Sequence, residues 1–175
     1  MELYTERGFE QTTVAEIAVR AGLTKRTFFR HYTDKRDVLF ADSDAMRELV
    51  AKAVAEAPEQ LAPIAAVAVG IQAAATVIQD NEERARYRRA VVAANPDLLE
   101  RELAKLAEIS AVMAETLRGR GVPDRAASLC AEAGITAFKI AFECWADHPD
   151  QQDQQDLPRL VRNALGELRA LMADA

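Results

Sequence analysis

Residues 13–37, TVAEIAVRAGLTKRTFFRHYTDKRD, constrain the fold more than any other stretch. Thr13 with Glu16 three residues on has the spacing of a capping box, so a helix is predicted over Thr13–Ala21. Val14, Ile17 and Ala18 give that helix one apolar face. Gly22 sits where a left-handed residue ends a helix at least cost, and Leu23 is expected to turn inward as a plug. Thr24 caps a second helix, Lys25–Tyr32, and Asp34 is placed to cap a third starting near Lys35. Helix, short glycine turn and helix make a helix-turn-helix.

Charge separates this stretch from the rest. Residues 20–36 carry Arg20, Lys25, Arg26, Arg30, Lys35 and Arg36 against the single acid Asp34, a local charge of +5 in a chain of net −6. Cations gathered on one small element of an acidic protein point to a phosphate-binding surface. The alternative is a solvated helical face.

Gly8 to Phe40, GFEQTTVAEIAVRAGLTKRTFFRHYTDKRDVLF, resembles the DNA-binding signature of the TetR family of transcriptional regulators. The resemblance rests on Gly8-Phe9, Thr12-Thr13, Ile17-Ala18, Ala21-Gly22, Phe28-Phe29, His31-Tyr32, Lys35 and Leu39. It implies an all-α protein: a three-helix DNA-binding domain over residues 1–40 and a larger helical ligand-binding and dimerisation domain over 41–175. In the family the first helix is usually longer than the two turns of Met1–Arg7, a shortage that a truncation or a misassigned start would explain.

Half of the residues are hydrophobic, enough for a sizeable core, whereas only 6% are aromatic. Abundant alanine favours closely packed helices. There is no 18-residue apolar run without polar interruption and no basic-then-apolar leader, so neither a membrane span nor a secretion signal is predicted. Cys130 and Cys144 on one straight helix would stand about 21 Å apart along its axis, too far for a disulfide. Reduced thiols in a cytoplasmic protein are expected.

Beyond the motif, Lys35 to about Ala57 reads as one helix leading into the larger domain. Pro58 stops it and Pro63 opens the next at a first-turn position. Pro63–Asp80 is apolar nearly all round and is predicted to be a core helix. Asn81–Ala94 carries Arg84, Arg86, Arg88 and Arg89, a nucleic-acid patch or, by preference, a solvated face. Asp97–Arg118 shows a stripe of Leu99, Leu103, Leu106, Ser110, Met113 and Leu117. Gly119 to Pro123 is a turn. Asp124–Asp147 has two apolar faces, one with Leu129, Ala133, Ala137, Ile140 and Cys144, the other with Ile135, Phe138, Phe142 and Trp145. DQQDQQD is an exposed connection, and Leu157 to Met172 is a last amphipathic helix.

The second helix of the motif is expected to enter the major groove. Lys25 and Arg26 are best placed for base edges, where guanine is the commonest target, and Thr27 for a thymine methyl or a phosphate. Arg30 points to another face and toward the other strand's backbone. Thr13, Thr24, Phe29, His31 and Lys35 match family positions at or near the DNA backbone. Phe29 departs from the family's usual tyrosine and lacks its hydroxyl. His31 reads equally as a packed helix residue. Two helices per subunit can build a four-helix dimer interface. Ala127, Ala131, Gly134 and Ala141 would permit close approach there, with Val161, Leu165 and Leu168 on the last helix. A homodimer on a near-palindromic double-stranded operator follows.

The family resemblance places an effector site in the larger domain, with Met46, Ile71, Ile78, Tyr87, Met113, Phe138, Phe142 and Trp145 as candidate lining residues, each also readable as core. All are apolar or amphipathic, which suits a small apolar effector. The function implied is a ligand-released repressor. A ligand-sensing dimer with impaired DNA binding is the alternative. A small enzyme is disfavoured, because the chain has no phosphate-binding glycine loop, no metal-ligand spacing and no nucleophile motif. No cofactor is expected.

Overall fold

The computed structural model describes residues 2–148 and 156–173. Most of the DQQDQQD connection and the side chain of Met172 fall outside the described residues. Those described form nine α-helices and one 3-10 helix: α1 Glu2–Arg7, α2 Val14–Arg20, α3 Lys25–His31, the 3-10 helix Asp37–Phe40, α4 Ser43–Ala55, α5 Pro63–Gln79, α6 Glu82–Ala93, α7 Pro96–Gly119, α8 Asp124–Asp147 and α9 Leu157–Ala173. The protein is all-α, with an N-terminal helix-turn-helix followed by a larger helical bundle.

Local signals set the boundaries. Thr13 and Glu16 form the complete capping box. Gly22 has φ +66°, and the Gly22 and Leu23 amides donate to Val19 O and Ala18 O at 3.0 and 2.8 Å. These two bonds make a Schellman stop, which needs the left-handed glycine. Leu23 is not the inward plug: it is 40% exposed, while Phe28, at 1%, fills the space between α2 and α3. Thr24 Oγ1 accepts from the Thr27 amide at 3.1 Å and caps α3.

The single helix expected from Lys35 to Ala57 is broken. Asp34 Oδ1 accepts from the Arg36 and Asp37 amides, and Asp37 Oδ2 from the Thr33 and Asp34 amides. Carboxylates bonding neighbouring amides compete with the helical ladder. The chain tightens into the 3-10 turn, and α4 begins afresh at Ser43.

Two cores result. The larger joins α4, α5, α7, α8 and α9 around Val50, Val54, Val67, Ile71, Met113, Leu117 and Trp145. The smaller joins Tyr4, Phe9, Leu39 and Phe40 to Val92 of α6 and Leu98 of α7. Helix α7 serves both, which alters its stripe. Leu98 is buried, whereas Leu99 and Leu103 are exposed; further along, Ser110, Met113 and Leu117 are buried as expected.

Helix α8 corrects the dimer assignment. Ala127, Ala131, Gly134 and Ala141 are buried within the chain itself, as are Val161 and Leu165 of α9, and Leu168 is half-buried. Their smallness serves the approach of α8 to α5: a Cβ on Gly134 would stand 2.3 Å from Val67 Cγ1. The outward side of α8 is the other one, with Leu129 at 65% and Ile140 at 54% exposure. Cys130 and Cys144 are half-buried free thiols, and burial pushes the Cys130 thiol up. Among the described residues no single helix is long and apolar enough to cross a membrane.

Candidate nucleic-acid interface

The face of α3 is built by two local devices. Thr24 fixes its start, and Phe28 anchors it, meeting Phe29 edge-on at 5.5 Å and Tyr32 at 5.2 Å between ring centroids. The opposite side is thereby turned to solvent. Lys25, Arg26, Arg30 and His31 are exposed, Thr27 is half-buried, and Phe29 is 56% exposed. Among the described residues neither Lys25 nor Arg26 has an ion-pair partner. Arg30 reaches only its neighbour, donating to His31 Nε2 at 3.4 Å.

Two expected contact residues are partly engaged elsewhere. Thr13 Oγ1 donates to Glu16 Oε2 at 2.8 Å and accepts from the Glu16 amide. The Thr13 amide and hydroxyl, with Arg7, hold the Glu16 carboxyl below its usual range. Lys35 Nζ donates to Phe9 O at 2.9 Å and Glu10 O at 3.1 Å, and lies 4.6 Å from the Phe9 ring centroid. An ammonium has three donors, so Lys35 is first a clasp on the α1–α2 turn, with one donor left over.

The arginine run of α6 is neither a nucleic-acid patch nor a merely solvated face. Arg84 pairs with Asp42. Arg86 pairs with Glu82 at 2.8 Å. Arg88 pairs with Glu102, donates to Leu39 O at 2.9 Å and covers the Phe40 ring at 4.8 Å. Arg89 faces Glu143 and Asp147 at 3.8 and 3.7 Å. Arg88, with Arg101, which pairs with Asp37, and Arg36, which lies 3.7 Å from Asp97, fastens the N-terminal segment to the bundle, whereas Arg86 and Arg89 hold α6 to α8. Tyr87 donates to Tyr4 O, and Tyr4 donates to Lys35 O. Burial and the Asp34 charge push the Tyr4 phenol well above its ordinary range. Burial works against the Asp37 charge, yet the Thr33 and Asp34 amides and the Arg101 guanidinium hold its carboxyl below the usual range. None of these junction residues was singled out from sequence as a fastening. Most of their partners lie far along the chain, up to 83 residues away for Tyr87 and Tyr4, and no local pattern marks them.

The candidate effector residues divide. Met46, Ile71, Ile78, Met113, Phe138, Phe142 and Trp145 belong to or pack against the larger core. Tyr87 belongs with the smaller one, drawn there by its bond to Tyr4, and so leaves the set. None of the eight lines either of two surface depressions. One, of about 160 Å³, lies between Phe9, Lys35, Arg36 and the start of α7. The other is an open groove of about 700 Å³ between α7 and α8, beside Ser110 and Glu132. Among the described residues no group of three or more His, Cys, Asp or Glu is placed to hold a metal ion.

Residues 1–41 match the family model for bacterial regulatory proteins of the tetR family. Over those residues the chain is similar to the DNA-binding part of the tetR family. A relative, the HTH-type transcriptional regulator TcmR of Streptomyces glaucescens, is 32% identical over 82 residues, covering 47% of this chain and 36% of that protein. The chain thus matches little more than a third of that relative's length. The crystal structure of the TetR family transcriptional regulator PfmR from Thermus thermophilus shares the fold, with a TM-score of 0.54 at 20% identity over 94% of this chain and 91% of that one. The likeness in fold to PfmR runs beyond residue 41.

Proposed function

We propose that this chain is a ligand-responsive transcriptional regulator of the TetR family that binds a near-palindromic operator as a dimer and is released by a small effector. Residues 1–40 read the DNA, and 41–175 bind ligand and dimerise. The observation that carries the reading is the contrast in pairing. The four arginines of α6 are matched by carboxylates, whereas Lys25 and Arg26 on α3 face solvent without one. Unmatched cations on an exposed helix of a helix-turn-helix suit phosphates and guanine edges.

Lys25, Arg26 and Thr27 at the start of α3 take the base edges. Arg30, His31, Thr24 and the spare donor of Lys35 serve the backbone, with Thr13 at the start of α2. Phe29 offers a thymine methyl an apolar surface in place of a phosphate bond. The dimer uses the outward face of α8, where Leu129, Ala133, Thr136 and Ile140 recur at intervals of 4, 3 and 4. A two-fold axis there presents two α3 helices about 34–36 Å apart, one turn of B-DNA. An effector acts by favouring whichever spacing of the two heads fits the operator worse, and one binding both states equally shifts nothing.

Retardation of a random-sequence DNA library, followed by titration of the selected site in salt, tests the reading. About eight phosphate contacts in a dimer give log K against log salt a slope near −7. Selection of no sequence, or a slope near zero, refutes it.

A further inference from the structure

Three buried hydrogen-bond donors without acceptors belong to side chains that meet where α6 crosses the end of α8: Arg86 Nη2, Arg89 Nε and Trp145 Nε1. Arg86 and Arg89, three residues apart, share a face of α6. Trp145 is 0% exposed, and the Arg86 guanidinium carbon lies 4.2 Å from its ring centroid. The other Arg86 nitrogens are taken: Nε by Glu82, and Nη1 by the Trp145 and Ala146 carbonyls. Arg89 comes no nearer to Glu143 and Asp147 than 3.8 and 3.7 Å through Nη2, and its Nε is left over. Enclosed donors in folded proteins are nearly always satisfied by protein, water or ligand, so three on neighbouring side chains mark a place where an acceptor fits.

Charge narrows the acceptor's chemistry. Glu82, Glu143 and Asp147 already face the two guanidiniums. An anion would add negative charge where none is lacking. The shortage is of neutral oxygen acceptors. The wall beside them is aromatic: Phe138, Phe142 and Trp145 follow one face of α8, with successive ring centroids 5.6 and 5.7 Å apart and interplanar angles of 16° and 33°. Phe138 and Phe142 are half-buried and lead to the enclosed indole. On the other side Val92 is the one buried residue of α6, and it belongs to the smaller core. Polar bonds from Arg86 and Arg89 therefore hold much of α6 against α8, and a guest that replaces them meets the larger core at its edge, where Phe138, Phe142 and Ala85 pack against Trp145 and its neighbours.

We propose that this junction binds a neutral, flat ring compound bearing carbonyl oxygen. Its rings lie against Phe138 and Phe142, and its carbonyl accepts from Trp145 Nε1 and the free nitrogens of Arg86 and Arg89. The inference rests on the ligand-responsive reading above and names the chemistry of that ligand. It replaces a purely apolar effector with one that must carry acceptors.

The chain has one tryptophan, so a ¹⁵N-labelled sample gives one indole N–H cross-peak. The test titrates 9-fluorenone and xanthone, each paired with its carbonyl-free counterpart, fluorene and xanthene. The expected result is a downfield indole shift with the ketones alone, and ketone affinity at least about tenfold above the counterpart, because a site built of donors rejects a molecule without acceptors. Arg89→Met, at the half-exposed rim, narrows that preference while keeping the fold, and Trp145→Phe abolishes the spectroscopic signal. Equal affinity for ketone and counterpart overturns the proposal. So does failure of all four probes to bind, or a slowly exchanging internal water on the indole proton that survives saturation with ketone. DNA retardation is run on the same samples. Intact operator binding without ketone preference removes this inference and leaves the regulator; ketone preference without DNA binding does the reverse.

Discussion

Gly134→Ala tests whether the small residues of α8 face their own chain. The added Cβ would meet Val67 Cγ1 at 2.3 Å, with Ile71 Cγ1 at 3.6 Å and Val67 Cβ at 3.8 Å. Carbon atoms settle about 3.5–4.0 Å apart, so more than an ångström must be found. Val67 is fully buried and β-branched, and cannot swing aside cheaply. Overpacking of this kind costs about 1–3 kcal/mol. Replacing a mid-helix glycine by alanine returns about 1 kcal/mol. The net loss centres on about 1 kcal/mol, a fall in melting temperature of about 2–4 °C for a chain this size. A second substitution identifies the obstacle. Val67→Ala alone opens a cavity and costs about 2 kcal/mol. In the double variant the new methyl enters that space, so the clash vanishes and the helix gain remains. The two changes should then be non-additive by about 1–3 kcal/mol. Thermal melts of the four proteins, with sedimentation on each, make the measurement. If Gly134→Ala leaves the melt unchanged but weakens self-association, Gly134 lies between copies and the intramolecular assignment is wrong. If the changes add, Val67 is not what excludes the methyl.

Arg26→Ala should reduce discrimination between the selected operator and random DNA. Lys35→Ala should weaken both alike and also lower the melting temperature, because its ammonium holds the Phe9 and Glu10 carbonyls; equal losses of discrimination in the two variants would contradict the division. Ile140→Lys on the outward face of α8 should give a monomer at micromolar concentration by sedimentation, with the melting transition kept, and a persisting dimer would move the interface elsewhere. The lowered Asp37 carboxyl contributes stability that is present above the ordinary carboxylate range and is lost as pH falls through its own, lower value. Amides of residues 34–40 should therefore exchange faster below about pH 4, and in Arg101→Gln that acceleration should begin at higher pH. An unchanged onset would show that Arg101 does not hold the charge.

What the sequence made legible is what hydrogen bonds settle within a few residues. The Thr13–Glu16 box, the Gly22 stop, the Thr24 cap and the proline at 63 each act on their own turn, so their patterns carry the outcome. Small residues are legible only in part. Ala131 and Gly134 announce a close approach without saying to what, and the neighbour is Val67 of the same chain, not a second subunit. Leu98 and Leu99 look alike as letters. Which one is buried depends on the head packing beside α7, a contact no local period records.

Helix α6 is the sharpest case, because its period was readable and its partners were not. At 100° per residue, Arg84, Tyr87 and Arg88 lie along one side, and Arg86 and Arg89 along another. The first side holds Asp42, Tyr4, Leu39 and Glu102; the second holds Glu82 and the end of α8. As sequence, four arginines among twelve residues read as solvation or as phosphate binding, since either places cations at these positions. The carboxylates and carbonyls that claim them are mostly far along the chain. A three-turn helix moves as one body, so the proposed ligand, in displacing Arg86 and Arg89 from α8, would also draw Tyr87 from Tyr4 of α1 and Arg88 from Leu39 of the 3-10 turn. The arginines that pair α6 with carboxylates and carbonyls thus set it between the proposed ligand junction on α8 and the packing of α1 and the 3-10 turn.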